Sequence, residues 1–359
     1  MDLDELHAMI EIDALSWYEQ LTTLPDEMEN AWLIGNRLPL PDLVEITRVV
    51  LVGMGDCGVA ADLAAAVGMK SSRIPIEVYH EGILPYWVRG KNCLLIALSS
   101  SDDTGDILVA VKTAKARNVN CLVITSKNSP EYSEEESKLL LWRYQRLHNS
   151  GPSYGFMFAL VMAVINRLGM VIDPDQELTQ GIEELYVQQA RLHREIPAAT
   201  NPAKRIAGQM VGRIVTVVGS GFLSPVARCW ANQINLIAKS RANFAYLPEI
   251  EHNFIAGIEQ PEQAFQNTLT LFLRGANQPS NQRLRNDLTR KLFMLQGLPT
   301  DFVDAPGKNE ITNMLTCLQL GDYVAYYLAV AYGLDPAPSP VIDALSEELR
   351  LSKKDPSDF

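Results

Sequence analysis

One pattern occurs twice in the chain: a continuous apolar run, a glycine-rich turn and then a segment suited to a helix. The copies are RVVLVGMGDCGVAADLAAAV and RIVTVVGSGFLSPVARCWANQINLIAK; Gly53 and Gly55 of the first align with Gly219 and Gly221 of the second, an offset of 166 residues. A strand that is apolar throughout is typical of a parallel sheet covered by helices on both faces. The sequence therefore predicts an α/β protein in which a doubly wound parallel-sheet domain is duplicated in tandem.

The length of the chain agrees with a duplication, because 359 residues exceed the size at which a single hydrophobic core stops growing. Apolar spacing, proline breaks and glycine turns divide the chain into predicted segments. They are an N-terminal helical segment (1–45), a first α/β domain (46–172), a helical connector (173–210), a second α/β domain (211–335) and a C-terminal helix and tail (336–359). Within the first domain, GPSYGFMFALVMAVINRLG should form a helix that is buried in the domain or in a subunit interface.

Charge and composition argue against several classes of partner. The formal net charge is −12 and the pI is about 5.0, so the chain would repel a nucleic-acid backbone. The first residues, MDLDELHAMI, lack the features of a signal peptide, and no run approaches the ~18 apolar residues of a membrane span. The five cysteines are scattered, without a C-x-x-C pair. We therefore expect a cytoplasmic protein with reduced thiols, no metal and no cofactor, and with neither a membrane nor a nucleic acid as partner.

Three loops could carry chemistry, because ligands of open parallel sheets bind beyond the carboxyl ends of the strands. The first loop contains Gly53 and Gly55, whose backbone could approach a substrate. It lacks the G-x-x-G spacing of a dinucleotide turn, which argues against NAD. The second loop, Ser99–Thr104, places four hydroxyl groups in six residues between a strand and a helix. Such groups suit phosphate or sugar oxygens, but the same residue types also serve ordinary helix capping.

The third loop, Leu247–Asn253, comes after the long predicted helix of the second half and contains Glu249, Glu251 and His252. Two carboxylates beside an imidazole could transfer protons during catalysis. The alternative is a structural histidine. Metal binding by these three residues is disfavoured, because their spacing matches no recognised ligand pattern.

At these loops the chain resembles the bifunctional phosphoglucose/phosphomannose isomerases, which consist of two sugar isomerase (SIS) domains. The resemblance covers about residues 30 to 350. It rests on VVLVGMG where the family has G-M-G-G-S, on SSSDDT where it has S-Y-S-G-N-T, on LPEIEHNFIAG where it has L-P-E-x-x-H-N, and on GDYVAYYLAVAYGLDPAPSPVIDAL. It implies two tandem doubly wound SIS domains with flanking helices, and a homodimer whose site is completed across the interface.

The resemblance also implies roles for individual residues. Ser99, Ser101 and Thr104 match the loop that holds the sugar phosphate, and His252 matches the histidine that opens the sugar ring. Gln233 matches the first residue of the family's Q-x-N-E-x-x-K helix.

Several family residues are replaced in this chain. The catalytic glutamate falls at Leu236, the arginine after Pro152 is Ser153, and the lysine of the C-terminal helix is Ser346. In the phosphate loop, Asp102 and Asp103 replace glycine and asparagine. A carboxylate about 4 Å from a phosphate costs roughly 1 to 4 kcal/mol, more than the ~0.3 to 1 kcal/mol by which a helix end attracts an anion.

Two main functional interpretations follow from these matches and replacements. The first is a sugar-phosphate aldose–ketose isomerase-like protein in which Glu251 or Glu249 replaces the missing base. The alternative is a catalytically silent SIS protein that binds or senses a neutral or cationic carbohydrate derivative. A structural protein without a ligand is a third interpretation, supported only by the apolar helix of the first domain.

Overall fold

The computed structural model describes most of the chain. The described residues are 2–40, 43, 45–99, 105–126, 139–146, 152–171, 174–337 and 339–352. Among them, no helix is both long enough and apolar enough to cross a bilayer.

Three helices open the chain: Leu6–Ile12, Trp17–Thr22 and Leu24–Arg37. The second contacts the helix Glu310–Ala331 of the second half, and the third packs against the helix Tyr154–Arg167 of the first domain. The second begins where it does because the Asp13 carboxylate accepts hydrogen bonds from the backbone N–H groups of Trp17 and Tyr18, at 2.6 and 2.8 Å. The third helix crosses a buried helix of the first domain at Gly35, where a Cβ atom would lie 2.6 Å from the side chain of Ala163. The close approach of these two helices therefore depends on that glycine.

The first sheet has five parallel strands in the order β2-β1-β3-β4-β5. The strands are β1 (Arg48–Val52), β2 (Ile76–Tyr79), β3 (Cys93–Ser99), β4 (Asn120–Ser126) and β5 (Leu140–Tyr144), and the helices are Gly55–Ser71, Gly105–Ala116 and Tyr154–Arg167. Strand β5 was not predicted from the sequence, because its short apolar stretch follows a strongly acidic segment and precedes a polar one.

The second sheet has four parallel strands in the order β7-β6-β8-β9. The connector helices are Pro174–Leu192 and Pro202–Met210; the strands are β6 (Ile214–Ser220), β7 (Ala242–Leu247), β8 (Thr268–Gly275) and β9 (Thr300–Ala305). The remaining helices are Ser224–Leu236, Glu262–Phe265, Ser280–Leu295, Glu310–Ala331 and Pro340–Ser352, with 3₁₀ turns at Gly221–Leu223, Glu249–Glu251 and Phe254–Ile258.

The strand order β7-β6-β8-β9 repeats the order β2-β1-β3-β4, so the architecture is the predicted one, two doubly wound parallel sheets with flanking helices. The register of pairing repeats as well. Val52 lies beside Ala97 in the first sheet, and its counterpart Val218 lies beside Phe272 in the second. Two residues beyond these partners, Ser99 and Arg274 therefore occupy equivalent positions. Residues 99–104 and 274–279 are then equivalent six-residue segments that lead into the helices at Gly105 and Ser280.

The two halves of the chain share one extensive core. Every residue from Phe156 to Ile165 has an exposure of 0%, so the apolar helix predicted for this region is buried within the chain itself. The helix Glu310–Ala331 is buried along almost its whole length. Asp62 and Arg228, which are separated by the same 166 residues as the paired glycines, form an ion pair between the first helices of the two halves.

Candidate functional site at the edge of the first sheet

The chain leaves β1 towards one side of the first sheet and β3 towards the other, and such a point in an open parallel sheet forms a ligand crevice. The turn after β1 requires its two glycines. A Cβ atom on Gly53 would lie 2.8 Å from the backbone carbon of Cys57, and Gly55 has a φ of +52°. Both glycines therefore have a structural reason to be present, and substrate binding by their backbone stays a prediction.

Two buried hydroxyl groups lie side by side at the end of β3 and β4. Ser99 pairs with Thr125 in the sheet, and their exposures are 2% and 0%. Neither side-chain oxygen has a hydrogen-bond partner among the described residues. A buried polar group without a partner costs about 1 to 3 kcal/mol. The edge of the first sheet thus has unused hydrogen-bonding capacity where the sequence predicts a ligand.

The rest of the predicted phosphate loop lies outside the described residues. This applies to Ser101 and Thr104 and also to Asp102 and Asp103. Their roles, and the predicted repulsion of a phosphate by the two carboxylates, stay predictions.

A third carboxylate, which no sequence motif singled out, belongs to the first glycine turn. Asp56 accepts hydrogen bonds from the backbone N–H of Ser153 at 2.6 Å and from its hydroxyl at 3.2 Å. Burial raises the pKa of Asp56, although both hydrogen bonds and nearby Arg146 act against that rise. Ser153, at the position of the family's arginine, therefore holds this acid at the start of the helix Tyr154–Arg167.

Two further buried contacts surround this carboxylate. Arg146 donates to Glu27 at 2.9 Å and to the carbonyl of Pro152 at 2.9 Å, which ties the N-terminal helices to the segment before Ser153. Tyr154 donates to Asp322 in the helix Glu310–Ala331 of the second half. Burial raises the pKa of Asp322 to about 8, and the negative charge of Asp56 contributes to the rise.

His80, after β2, is a histidine beside the glycine turn that was not predicted as a site residue. Its Nδ1 atom lies 3.1 Å from the carbonyl oxygen of Gly53, and its Nε2 atom lies 3.2 Å from Asp62 and 2.7 Å from Arg228. The hydrogen bond with Asp62 is the main cause of the raised pKa of His80. No sequence motif indicated this contact, because its partners are 18 and 148 residues away along the chain.

The predicted proton-transfer residues lie together on the surface of the second half, after β7. His252 is exposed, and its imidazole makes no hydrogen bond or ion pair with any described residue. Glu251 pairs with Arg285, and Glu249 accepts a hydrogen bond from Asn253 at 3.3 Å. Within the described part of the chain, no hydrogen bond or ion pair joins these three residues to Ser99 or Thr125. The structure thus brings the trio together but does not connect it to the first sheet.

The three polar side chains of the QINLIAK segment, residues 233–239, have different environments. Asn235 bonds to the backbone of Ala231 and Ala242, and Lys239 donates to the carbonyl groups of Ile237 and Asp335. These two residues therefore have structural partners. Gln233 is buried, and its side-chain oxygen has no partner among the described residues. Substrate binding by Gln233 stays a prediction.

Comparison with known families identifies both halves. The family described as the SIS domain matches residues 42–165, and the one described as the bacterial phospho-glucose isomerase C-terminal SIS domain matches residues 199–349. The chain belongs to the bifunctional phosphoglucose/phosphomannose isomerase family. The replacement of several of the family's catalytic residues, as expected from the sequence motifs, stays a prediction.

Individual relatives match nearly end to end. The bifunctional phosphoglucose/phosphomannose isomerase of Caldicellulosiruptor bescii is 27% identical over 92% of this chain and 98% of its own length. The protein of the same name from Aquifex aeolicus is 28% identical over 86% and 92%. Among solved structures, a glucose-6-phosphate isomerase like protein from Thermus thermophilus superposes with a TM-score of 0.64 at 19% identity, covering 97% of this chain and 99% of that one.

Proposed function

We propose that the protein binds a sugar phosphate at the edge of the first sheet and interconverts its aldose and ketose forms. The observation that carries the proposal is the pair of buried hydroxyl groups of Ser99 and Thr125, which have no hydrogen-bond partner among the described residues. A ligand with several oxygen atoms would give both groups partners and remove the cost of burying them. The names of the relatives, phosphoglucose/phosphomannose isomerases, support the choice of ligand class.

The proposed reaction moves a proton between C1 and C2 of the open-chain sugar. His252 would open the ring by proton transfer to the ring oxygen. Leu236 cannot act as the base, so Glu251 is the proposed replacement because it is adjacent to His252. Since His252 lies on the surface of the second half, the proposed site is completed by a second copy of the chain.

The test is an assay of fructose 6-phosphate interconversion with glucose 6-phosphate and mannose 6-phosphate. We expect His252→Ala and Glu251→Gln each to lower kcat by about 10² to 10⁴. Glu259→Gln, which removes an exposed carboxylate from the same segment, is the matched control and should keep full activity. Turnover that depends on His252 but is indifferent to Glu251→Gln would remove Glu251 from the role of base.

A second candidate is a silent protein that binds a neutral or cationic carbohydrate derivative. It is favoured by Leu236, by the pairing of Glu251 with Arg285, and by the carboxylate of Asp56 in the first glycine turn. Calorimetry separates the two candidates. Binding of glucosamine in preference to glucose 6-phosphate, with no turnover of any hexose phosphate, supports the silent protein and contradicts the isomerase.

A further inference from the structure

A cavity opens at the carboxyl edge of the second sheet, beyond β8 and β9. Its volume is about 370 Å³, which is enough for a small ligand. It is lined by Arg274, Arg283, Asp287 and Asp304 and by Gly275 and Ala276.

This cavity lies where the second half repeats the predicted ligand loop of the first. Arg274 occupies the strand position equivalent to Ser99, and Asp304, its neighbour on β9, corresponds to Thr125. The segment that follows has the same length in both halves and leads into a helix at Gly105 or at Ser280. The second sheet thus presents its own strand ends and loop to solvent at the equivalent place.

The crevice between β6 and β8 is filled, which leaves the β8–β9 side as the open part of this edge. The Gln278 amide donates to the Ser220 hydroxyl at 2.8 Å. The amide of Gln282 covers Gly221, where a Cβ atom would lie 2.7 Å from the Gln282 side-chain oxygen. A ligand at this edge must therefore bind beside Arg274 rather than between β6 and β8.

The charges of the cavity are arranged in two groups. Arg274 donates to both oxygens of Asp304, at 2.7 and 2.9 Å, and lies 3.3 Å from Asp287, so two carboxylates share one cation. The Phe302 ring supports that guanidinium from a distance of 3.6 Å. Carboxylate oxygens have several acceptor sites, so Asp287 and Asp304 can still accept hydrogen bonds from hydroxyl groups.

Arg283 is the second cation of the cavity, and it has no carboxylate partner among the described residues. Within the described ranges, its guanidinium donates only to the carbonyl groups of Ala276, at 2.5 Å, and Gly275, at 3.4 Å. Both bonds come from Nη2 and tie the side chain to the loop after β8, so the donors on Nε and Nη1 are available. A planar guanidinium with unused donors is well suited to a phosphate.

We propose that this cavity is a second small-molecule site, which binds a phosphorylated sugar. Arg283 binds the phosphate, and Asp287 and Asp304, held by Arg274, accept hydrogen bonds from the sugar hydroxyls. The site is separate from the edge of the first sheet and requires no turnover there.

Calorimetric titration of the full chain with glucose 6-phosphate tests this site. The wild type should bind two equivalents per chain, and Arg283→Gln should lose one of them or weaken it at least about tenfold. Lys291→Gln removes an exposed positive charge from the same helix and should retain both equivalents. Thermal unfolding of each variant confirms that it is folded, and unphosphorylated glucose should bind the second site more weakly because it lacks the group that Arg283 recognises.

The double variant Ser99→Ala, Thr125→Val distinguishes this site from the first. If the wild type binds one equivalent in total, and the double variant loses it while Arg283→Gln keeps it, the second site is overturned and the first is supported. If the wild type binds one equivalent in total and only Arg283→Gln loses it, the second site is supported and binding at the first is contradicted. Absence of any binding contradicts both proposals, and equal weakening by Lys291→Gln would show only a general charge effect and overturn the second site.

Discussion

The carboxyl edges of the two sheets have the same topology but differ in whether their polar side chains have hydrogen-bond partners. At the first edge, Ser99 and Thr125 are neutral, buried and, among the described residues, without partners. At the second, Arg274 and Asp304 are charged, partly exposed and joined by two hydrogen bonds. Duplication has thus kept the place where polar groups gather and changed their chemistry. The ion pair at the second edge needs no ligand for stability, whereas the ligand proposed for the first edge would give Ser99 and Thr125 hydrogen-bond partners.

The largest expected effect comes from Asp322, a buried acid that contacts Tyr154 of the first half. The carboxyl of Asp322 has a pKa of about 8 in the folded chain, because it is buried. Since its pKa is higher in the folded than in the unfolded chain, unfolding releases a proton between about pH 4 and pH 8. The free energy of unfolding should therefore fall as pH rises, by about 1.4 kcal/mol per pH unit from this group.

Asp322→Asn should remove this slope, because the amide stays neutral and can still accept the hydrogen bond from Tyr154. Urea unfolding at about pH 5 and about pH 8 measures the difference, and the variant should gain on the wild type by several kcal/mol at the higher pH. The raised pKa of Asp56 acts in the same direction and leaves a residual slope. Parallel pH profiles of the two proteins would contradict a protonated Asp322.

Much of this architecture could be predicted from the sequence, because apolar runs and glycine turns are local signals. The turns at Gly53 and Gly219 predicted both the parallel sheets and the duplication. The ion pair of Asp62 with Arg228 and the bond of Asp56 to Ser153 could not be predicted, since they join residues distant in sequence through packing. Strand β5 was missed for a local reason, because its apolar stretch is short and has polar neighbours on both sides.

The candidate site was predicted less completely than the fold. Ser99 was identified from the hydroxyl-rich loop, but its partner position, Thr125, depends on the order of strands in the sheet. His252, Glu249 and Glu251 do lie together because they are adjacent in sequence, which is a weak constraint. Their approach to the first edge in a second copy of the chain depends on a subunit interface. Such an interface has no local signal in the sequence, so it could not be predicted.

The glycine turns test whether the two edges differ in side chains alone. A Cβ atom on Gly53 would lie 2.8 Å from the backbone carbonyl carbon of Cys57, and one on Gly219 would lie 2.8 Å from that of Leu223. Gly53→Ala and Gly219→Ala should each lower the free energy of unfolding by about 1 to 3 kcal/mol. Gly208→Ala is the control: its Cβ would meet nothing within 4 Å, and alanine should be neutral or stabilising by up to about 1 kcal/mol. A cost at only one turn would show that the backbones of the two edges differ as well.

The double variant Ser99→Ala, Thr125→Val should change stability with a sign that depends on ligand. Without ligand, removing two buried hydroxyls that have no partner in the described part of the chain should be neutral or stabilise the chain by up to about 1 kcal/mol. With a saturating sugar phosphate, the wild type should gain more thermal stability than the variant, because it binds more tightly. Thermal unfolding with and without glucose 6-phosphate measures both effects. A clear loss of stability without ligand would mean that these hydroxyls already have partners in the folded chain.

The smallest effect is expected at the second edge, where the ions already satisfy each other in contact with solvent. Arg274→Gln should lower the free energy of unfolding by less than about 1 kcal/mol, because Asp304 has a side-chain exposure of 69% and can be hydrated when its partner is removed. The loss should shrink in urea titrations at about 1 M salt, where the screening length is only about 3 Å. Lys291→Gln serves as the control for the loss of a positive charge from this half. A cost above about 2 kcal/mol that does not respond to salt would mean that the Arg274–Asp304 pair is effectively buried, and the two edges would then differ in charge but not in their exposure to water.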